Sequence, residues 1–516
     1  MKNLSKVILT SISLAVLLSS CNGSPNSTTS INPINDQIVN KPEISAFAAE
    51  SAKILSLEYD KNKNDQISKT DAGITDLEMR KLDKNGDGKL SQNEIATGIK
   101  DEYNNASKVS DALGSLANLN QPFQGNIPTK PPISTFKPNK ISLYIDRDEI
   151  LPMMFNAIDN AKKTIQMDLY LLGGKIGLQI AQKLVEKARQ GVDIKLTFDP
   201  NLGFSGPTQQ EVYMVVDYLR QNKVEFKLYP LHLIPKVEEG LLKNKFQIDH
   251  DKMTVIDGNI LITGGFNLFD LGVGNRDLMY KIEGVTAQEA SNLLSYEWLL
   301  SDKFIDKKPP ATVYVVKDVK DDTGTDAMAK IVKTAPYEST TKPALIEMIN
   351  NAQQSVYLSV LEFSDLDVTA ALVRAYKRGV DVKVLMDRKD TNDKYAGGIP
   401  VPNYYPNILP ARELVKNLVP TRWYDARYPG QELHMKMCVV DGNKMIAGST
   451  NFTRQAFTTF RETSIQVEGG SAPPKMVRTF LEDWTGHATA IKKITLGDKI
   501  RAKVVEFLDN RYYAWW

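Results

Sequence analysis

The pattern of hydrophobic and polar positions divides the chain into stretches of different character. Lys2 and Lys6 precede an apolar run from Val7 to Leu18. Twelve residues fall short of the roughly 20 that a bilayer span takes, and they suit the core of an export signal. The run ends in Leu18-Ser19-Ser20-Cys21, small residues followed by a cysteine. Residues 1–20 therefore read as a lipoprotein signal peptide, with Cys21 as the lipidated residue. Residues 21–45 are rich in Asn, Ser, Thr and Pro and read as a flexible tether. A charged region with helical spacing fills 46–110, and a Pro-rich linker fills 111–140, with five prolines in its second half.

From 141 onward the pattern alternates between helical and strand periods, and it repeats. Ala161-Lys-Lys-Thr-Ile-Gln-Met answers to Ala352-Gln-Gln-Ser-Val-Tyr-Leu, a helix end running into an apolar strand. Arg189-Gln-Gly191-Val-Asp-Ile-Lys195 answers to Lys377-Arg-Gly379-Val-Asp-Val-Lys383. Arg276-Asp277 answers to Arg461-Glu462, and tryptophans close both stretches at Trp298 and Trp484. Two copies of one α/β unit follow, 141–310 and 311–516. The expected fold class is α/β, with mixed or mainly parallel sheets covered by helices and a small helical module in front.

Composition changes this picture little. The chain is 42% hydrophobic and 24% charged, and its net charge of +2 leaves no strong electrostatic footprint for nucleic acid. Cysteine is more telling. With only Cys21 and Cys438 present, lipidation of the first leaves no intramolecular disulfide, and a cysteine-rich zinc site is excluded. No other stretch is apolar enough to span a bilayer, so the expected product is an exported bacterial lipoprotein, anchored by lipid and monomeric.

The chemistry lies in the strongest repeat pair. HDKMTVIDGNILITGGFN (250–267) and HMKMCVVDGNKMIAGSTN (434–451) share His-x-Lys, then Asp-Gly, then a glycine turn ending in Asn. Each reads as strand, tight turn and strand. Residues two apart share a strand face, so His250 and Lys252 project together, as do His434 and Lys436. Met253, Val255, Met437 and Val439 face a core instead. A phosphodiester needs a nucleophile, cationic donors around its oxygens and an acid for the leaving alkoxide. Two histidines, two lysines and the amides of Asn267 and Asn451 supply all three without a metal. One imidazole attacks phosphorus and the other protonates the leaving oxygen. His232 and His487 have no repeat partner and read as structural.

These motifs resemble the signature of the phospholipase D superfamily, HxK(x)4D(x)6G followed by Gly/Ser-x-Asn. The doubled match covers about 375 residues. The resemblance implies a bilobed α/β sandwich with one active site between two pseudo-symmetric halves. It further implies His250 as nucleophile, His434 as general acid, and a downstream acid orienting each histidine, at Asp277 and Glu462. Asp277 stands where Glu is usual and reaches one methylene less far. Asp257 and Asp441 then read as turn and packing residues. Within the superfamily, GGFNLFD (264–270) and GSTNFTRQAF (448–457) resemble bacterial phospholipases D and cardiolipin synthases.

The N-terminal region carries a separate signal. Asp83, Asn85, Asp87, Lys89 (through its carbonyl), Ser91 and Glu94 occupy the ligand positions of a twelve-residue EF-hand calcium loop, with Gly88 at its sharp turn. Asp60, Asn62, Asn64, Gln66 and Asp71 repeat the frame less well, with Asp65 at the glycine position. The spacing predicts one helix shared by both loops. Calcium is expected there and not in the catalytic chemistry. Three functions stay open at this stage: a phospholipid phosphodiesterase, with or without phosphatidyl transfer; an endonuclease using the same residues on nucleic acid; and a calcium-binding surface lipoprotein without catalysis.

Overall fold

The apolar strands of both repeats assemble into one mixed sheet. The computed structural model describes residues 42–116, 133–200, 202, 206–229, 248–302, 325–335, 338–388, 394–395, 399–400 and 404–510. The signal peptide, Cys21 and His232 lie outside the described residues. In the first half the strands of this sheet are β1 (Lys137–Ile145), β2 (Thr164–Leu169), β3 (Asp193–Phe198), β4 (Phe226–Leu228), β5 (Lys252–Ile256), β6 (Ile260–Gly264) and β7 (Leu278–Gly284). In the second they are β8 (Ala327–Ala335), β9 (Ser355–Val360), β10 (Asp381–Met386), β11 (Thr421–Tyr424), β12 (Lys436–Val440), β13 (Lys444–Gly448), β14 (Glu462–Gly469) and β15 (Ala488–Ala490).

Strand order reads alike in both directions from the middle. Outward from β1 come β7, β6, β5, β2, β3 and β4; outward from β8 come β14, β13, β12, β9, β10, β11 and β15. Antiparallel pairing of Lys137, Pro138 and Asn139 with Ala329, Met328 and Ala327 joins the two series. Pairing is parallel only along β2–β3–β4 and β9–β10–β11. The sheet is therefore mixed, because the Asp-Gly turns that follow β5 and β12 are too tight for a crossover and force antiparallel neighbours. Helices cover the parallel strands: Gly174–Arg189 follows β2 and Leu366–Lys377 follows β9. The second is opened by Asp365, whose carboxylate accepts the amides of Asp367 and Val368.

Side-chain alternation on the paired hairpins has the consequence the pattern predicts. Met253, Val255, Met437 and Val439 enter one shared core with Phe480 and Trp484. Cys438 points the other way, into a core with Val356 and Leu358, and its thiol is buried. Each such large apolar side chain contributes about 1.5–3 kcal/mol on burial. That leaves little freedom for the hairpin to rotate the intervening histidine and lysine out of place.

The N-terminal region packs onto this body. The helices Pro42–Tyr59 and Gln92–Leu116 share a core with Ile500, Val504 and Phe507 of the C-terminal helix Leu496–Asp509. The Tyr59 hydroxyl donates to the Ile494 carbonyl (3.2 Å), and Arg501 pairs with Glu78 at 3.5 Å. Three expected boundaries move. The first helix starts at Pro42, inside the presumed tether, because Ile44, Ala48, Ala52 and Leu55 form a buried stripe. The Gln92 helix runs to Leu116, past 110, and β1 begins at Lys137 inside the linker, where its pairing with β8 extends it. The single helix expected between the calcium loops is instead two, Lys69–Ala72 and Asp76–Leu82. Gly73 ends the first in a left-handed conformation, and a Thr75–Glu78 capping box opens the second. Among the described residues no helix is long and apolar enough to cross a membrane.

Candidate active site

Each His-x-Lys segment is seated by backbone bonds to the other half. The His250 amide donates to the Arg461 carbonyl (2.9 Å) and the Arg461 amide to Ile248 (3.0 Å). The same exchange occurs where His434 donates to Arg276 (2.9 Å) and Arg276 to Glu432 (2.8 Å). The residue after each arginine is the acid, so every histidine meets the acid of the opposite repeat. Nδ1 of His250 lies 2.9 and 3.0 Å from the two Glu462 carboxylate oxygens. Nδ1 of His434 lies 2.7 Å from Asp277 Oδ2. The shorter Asp277 thus makes full contact. Gly265 leaves it room, since a Cβ there would collide with its carboxylate.

The lysines and amides complete the cluster. Lys252 Nζ donates to the His250 carbonyl and Lys436 Nζ to the His434 carbonyl, both at 2.6 Å. Lys436 Nζ also stands 2.9 and 3.1 Å from the His434 ring nitrogens. Asn267 Nδ2 lies 3.5 Å from His434 Nε2, while Asn451 Nδ2 donates to Glu362 at 2.9 Å. The Oδ1 atoms of both asparagines are buried without a partner. Tyr170 packs edge-on against the His250 ring (4.7 Å) and under Lys252 Nζ (4.8 Å). The structure brings together all eight residues that the motifs single out.

Burial sets the electrostatics. Desolvation pushes the His250 pKa well below its usual 6.5, helped by the charges of Lys252 and Lys436, so its ring is neutral. Desolvation also lowers Lys252 to about 7, and it lowers Lys436. It raises Asp277 to about 7 and holds Glu462 well above the carboxylate range. The two ends of the hairpins behave differently. Asp257 accepts the amides of Lys162, Lys163 and Thr164, and Asp441 those of Gln353, Gln354 and Ser355. Burial tends to raise both carboxyls, but these amides outweigh it and hold them low. A groove of about 660 Å³ beside Asp257, lined by Tyr144, Asn156 and Lys281, contains none of the motif histidines or lysines.

A family model described as "Cardiolipin synthase, PLD-like domain" matches residues 154–298 and 345–484, more than half of the chain. The chain belongs to this phospholipase D-like family. A cardiolipin synthase of Clostridium perfringens (strain 13 / Type A) is 26% identical over 360 residues, covering 67% of this chain and 70% of that protein. Cardiolipin synthase A of Pseudomonas syringae pv. syringae is 27% identical over 364 residues, 68% of each chain. The crystal structure of a phosphatidylserine synthase from Haemophilus influenzae Rd KW20 superposes with a TM-score of 0.53 at 13% identity, covering 78% of this chain and 97% of that one. The mixed α/β fold with its large sheet and the general class, a phospholipase D-type phosphodiester enzyme, are thereby shown.

Several residues around the site of this phospholipase D-like enzyme escape the motif. Arg461 is buried among Asp168 (2.8 Å), Asp249 (3.0 Å), Asp251 and Glu297. Arg276 pairs with Asp146 (2.5 Å) and Asp483 (2.9 Å). Both arginines are visible as repeat landmarks. Their acidic partners are not, because Asp249 and Asp251 are matched by Leu433 and Met435 in the second copy. These ion pairs anchor the residue next to each orienting acid. His487, read as structural, follows the helix Ala472–Gly486 at its C-terminal end.

In the N-terminal region, the Asp83, Asn85 and Asp87 side chains turn inward to loop amides, Asp83 accepting from Gly86 (2.6 Å) and Gly88 (2.9 Å). Glu94 accepts from the amides of Lys84 (2.9 Å) and Ser91 (2.9 Å). Burial tends to raise its carboxyl, but these bonds and the Ser91 hydroxyl hold it low and ionised. The donor set therefore fits an oxygen-seeking divalent cation, with the Lys89 carbonyl and Ser91 completing the frame. In the first loop Asp65 takes a left-handed φ of 60° and Asp60 accepts from its amide (2.7 Å). Asp71, however, is bonded to Ser68 (2.7 Å), and Gln66 accepts from the Lys89 ammonium (2.7 Å). The loops pair through Ile67–Leu90 and Ser68–Lys89.

Proposed function

We propose that the enzyme cleaves the phosphodiester of a phospholipid through a covalent phosphohistidine and passes the phosphatidyl group to a hydroxyl, that of an alcohol or of water. The observation that supports this best is the crossed His–acid pairing. Glu462 at Nδ1 of His250 keeps the proton on that nitrogen and leaves the Nε2 lone pair free to attack phosphorus. A neutral His250 is the form that attacks. Lys252 and Lys436 neutralise the equatorial oxygens, and the Asn267 and Asn451 amides donate to them. His434, held by Asp277 at Nδ1, gives its Nε2 proton to the leaving alkoxide. It then takes a proton from the incoming hydroxyl as that oxygen displaces His250. The cardiolipin and phosphatidylserine synthase relatives support transfer at least as much as hydrolysis.

In the same reading, Asp83, Asn85, Asp87, Lys89, Ser91 and Glu94 hold a calcium ion that stiffens the docked N-terminal module, with Asp60, Asn62, Asn64, Gln66 and Asp71 forming a weaker site. Cys21 carries the lipid that keeps the enzyme at a membrane. The test uses the full chain with phosphatidylcholine vesicles, phosphatidylglycerol vesicles and plasmid DNA, each with and without EDTA. Head-group release and an acid-labile phosphoenzyme, both absent in His250→Ala, are expected. Turnover that persists in His250→Ala would refute the chemistry, and cleavage of DNA alone would move the substrate to nucleic acid.

A further inference from the structure

The two halves of the site differ at one position that the motifs do not cover. Where the chain leaves β2, Leu171 is buried against Val212, Val216 and Phe269. Where it leaves β9, the repeat places Glu362 instead. That carboxylate accepts from Asn451 Nδ2 at 2.9 Å, and its backbone carbonyl accepts from Phe452 at 3.0 Å. The side chain feels the Lys436 ammonium, two residues from His434, and the Glu432 carboxylate. Burial raises its pKa to about 7, a cost that a packing residue such as leucine avoids.

The asymmetry follows through to the asparagines. Asn267 directs its amide toward His434 Nε2, whereas Asn451 gives its own to Glu362. A carboxylate beside the phosphate-binding lysines repels a phosphodiester, so it serves the anion poorly. It suits a neutral partner with hydroxyl donors. An ammonium head group fits less well, because Lys436 already stands beside the carboxylate.

We infer that Glu362 determines the acceptor: its carboxylate accepts a hydrogen bond from a second hydroxyl of the alcohol that receives the phosphatidyl group. The acceptor's attacking oxygen forms the new O–P bond as the His250 Nε2–P bond breaks, and its proton passes to His434 Nε2. Glu362 holds the neighbouring hydroxyl and takes no proton. Its position near Lys436 puts it on the His434 side, where the first leaving group departs and the acceptor enters. The enzyme is thereby biased toward polyols over water and over alcohols with one hydroxyl.

This inference rests on the phosphatidyl-transfer reading, and one partition experiment separates the two. Full-length wild type, Glu362→Gln and Glu362→Leu are given phosphatidylcholine vesicles with increasing glycerol, and in a second arm with ethanol. A third arm supplies the diol on a lipid, as phosphatidylglycerol in the same vesicles, to distinguish a free from a lipid-borne polyol. The readout is the ratio of transfer product to phosphatidic acid. We expect the glycerol ratio to fall about tenfold in both variants, the loss of one hydrogen bond to a charged acceptor, with KM for glycerol rising. The ethanol ratio should change far less. An unchanged glycerol ratio, or ethanol and glycerol ratios falling together, overturns the inference. Failure of the wild type to release any head group overturns the underlying function instead.

Discussion

The Glu462 carboxylate of the second repeat lies 2.9 Å from Nδ1 of His250 in the first, and the reciprocal pair, Asp277 and His434, closes to 2.7 Å. Neither repeat therefore contains a complete acid–histidine pair. Glu462→Gln keeps the shape but offers Nδ1 an amide in place of a charge, so the imidazole loses its fixed tautomer. Turnover should fall by about 10²–10⁴, the usual contribution of a positioned acid–base group, with a much smaller change in KM. Single-turnover trapping should show slower phosphoenzyme formation. A variant that forms phosphoenzyme at the wild-type rate would refute the orienting role.

The pH profile follows from burial. His250 must be neutral to attack, and its pKa lies well below 6.5, so lowering pH to 6.5 should cost little activity. Lys252 carries its proton below about 7 and loses it above. In the free enzyme the phosphate cradle thus weakens as pH rises through 7, and kcat/KM should fall on the alkaline side, while kcat, measured with anion bound, falls at higher pH. Asp277, at about 7, titrates in the same window. Lys252→Arg separates them, since a guanidinium stays charged. The alkaline limb of kcat/KM should move upward in that variant; a limb that stays in place assigns it elsewhere.

Much of this site was legible before any coordinates. Strand alternation alone puts Lys252 and His250 on one face and Met253 on the other, and the repeat identifies which histidines belong together. What it left open was which acid serves which histidine, because pairing across the repeats depends on the backbone exchange at Arg276 and Arg461. Asp168, Asp249 and Asp251 were illegible for a different reason: they neutralise a single arginine and have no counterparts in the second copy. The helix break at Gly73 shows the limit of loop spacing as a guide, since the glycine and the Thr75 cap override a helical frame.

The motif aspartates should matter for folding and not for turnover. Asp257 and Asp441 each bind three successive amides and adopt φ of 52°. Asp257→Ala removes those bonds and puts a β-carbon where left-handed backbone is unfavourable. A loss of about 1–3 kcal/mol is expected, and Asp257→Asn should lose less, since asparagine tolerates this φ. Because the folded carboxyl is held below its ordinary pKa of 3.8, its contribution is present above that value and disappears as pH falls through the folded pKa. Urea unfolding at pH 7 and at pH 3 checks both points: the wild-type advantage over Asp257→Asn should shrink at the lower pH, while kcat per folded molecule stays close to wild type.

Calcium removal should act on stability through the docked N-terminal helices. Their core is continuous with Ile500, Val504 and Phe507, and the same cluster reaches Ile248, two residues before His250, and Phe460, two residues before Glu462. A cation bound to the folded loop at a hundred times its Kd adds about 2.7 kcal/mol. EDTA should therefore lower the unfolding midpoint of the full chain, and Glu94→Gln should lower it in calcium and abolish most of the EDTA effect. Phosphoenzyme formation well below the midpoint should persist in both cases, because the lysines and histidines supply the charge and the proton. Loss of phosphoenzyme on chelation at a temperature where circular dichroism shows the chain still folded would place calcium in the chemistry and overturn the separation drawn here.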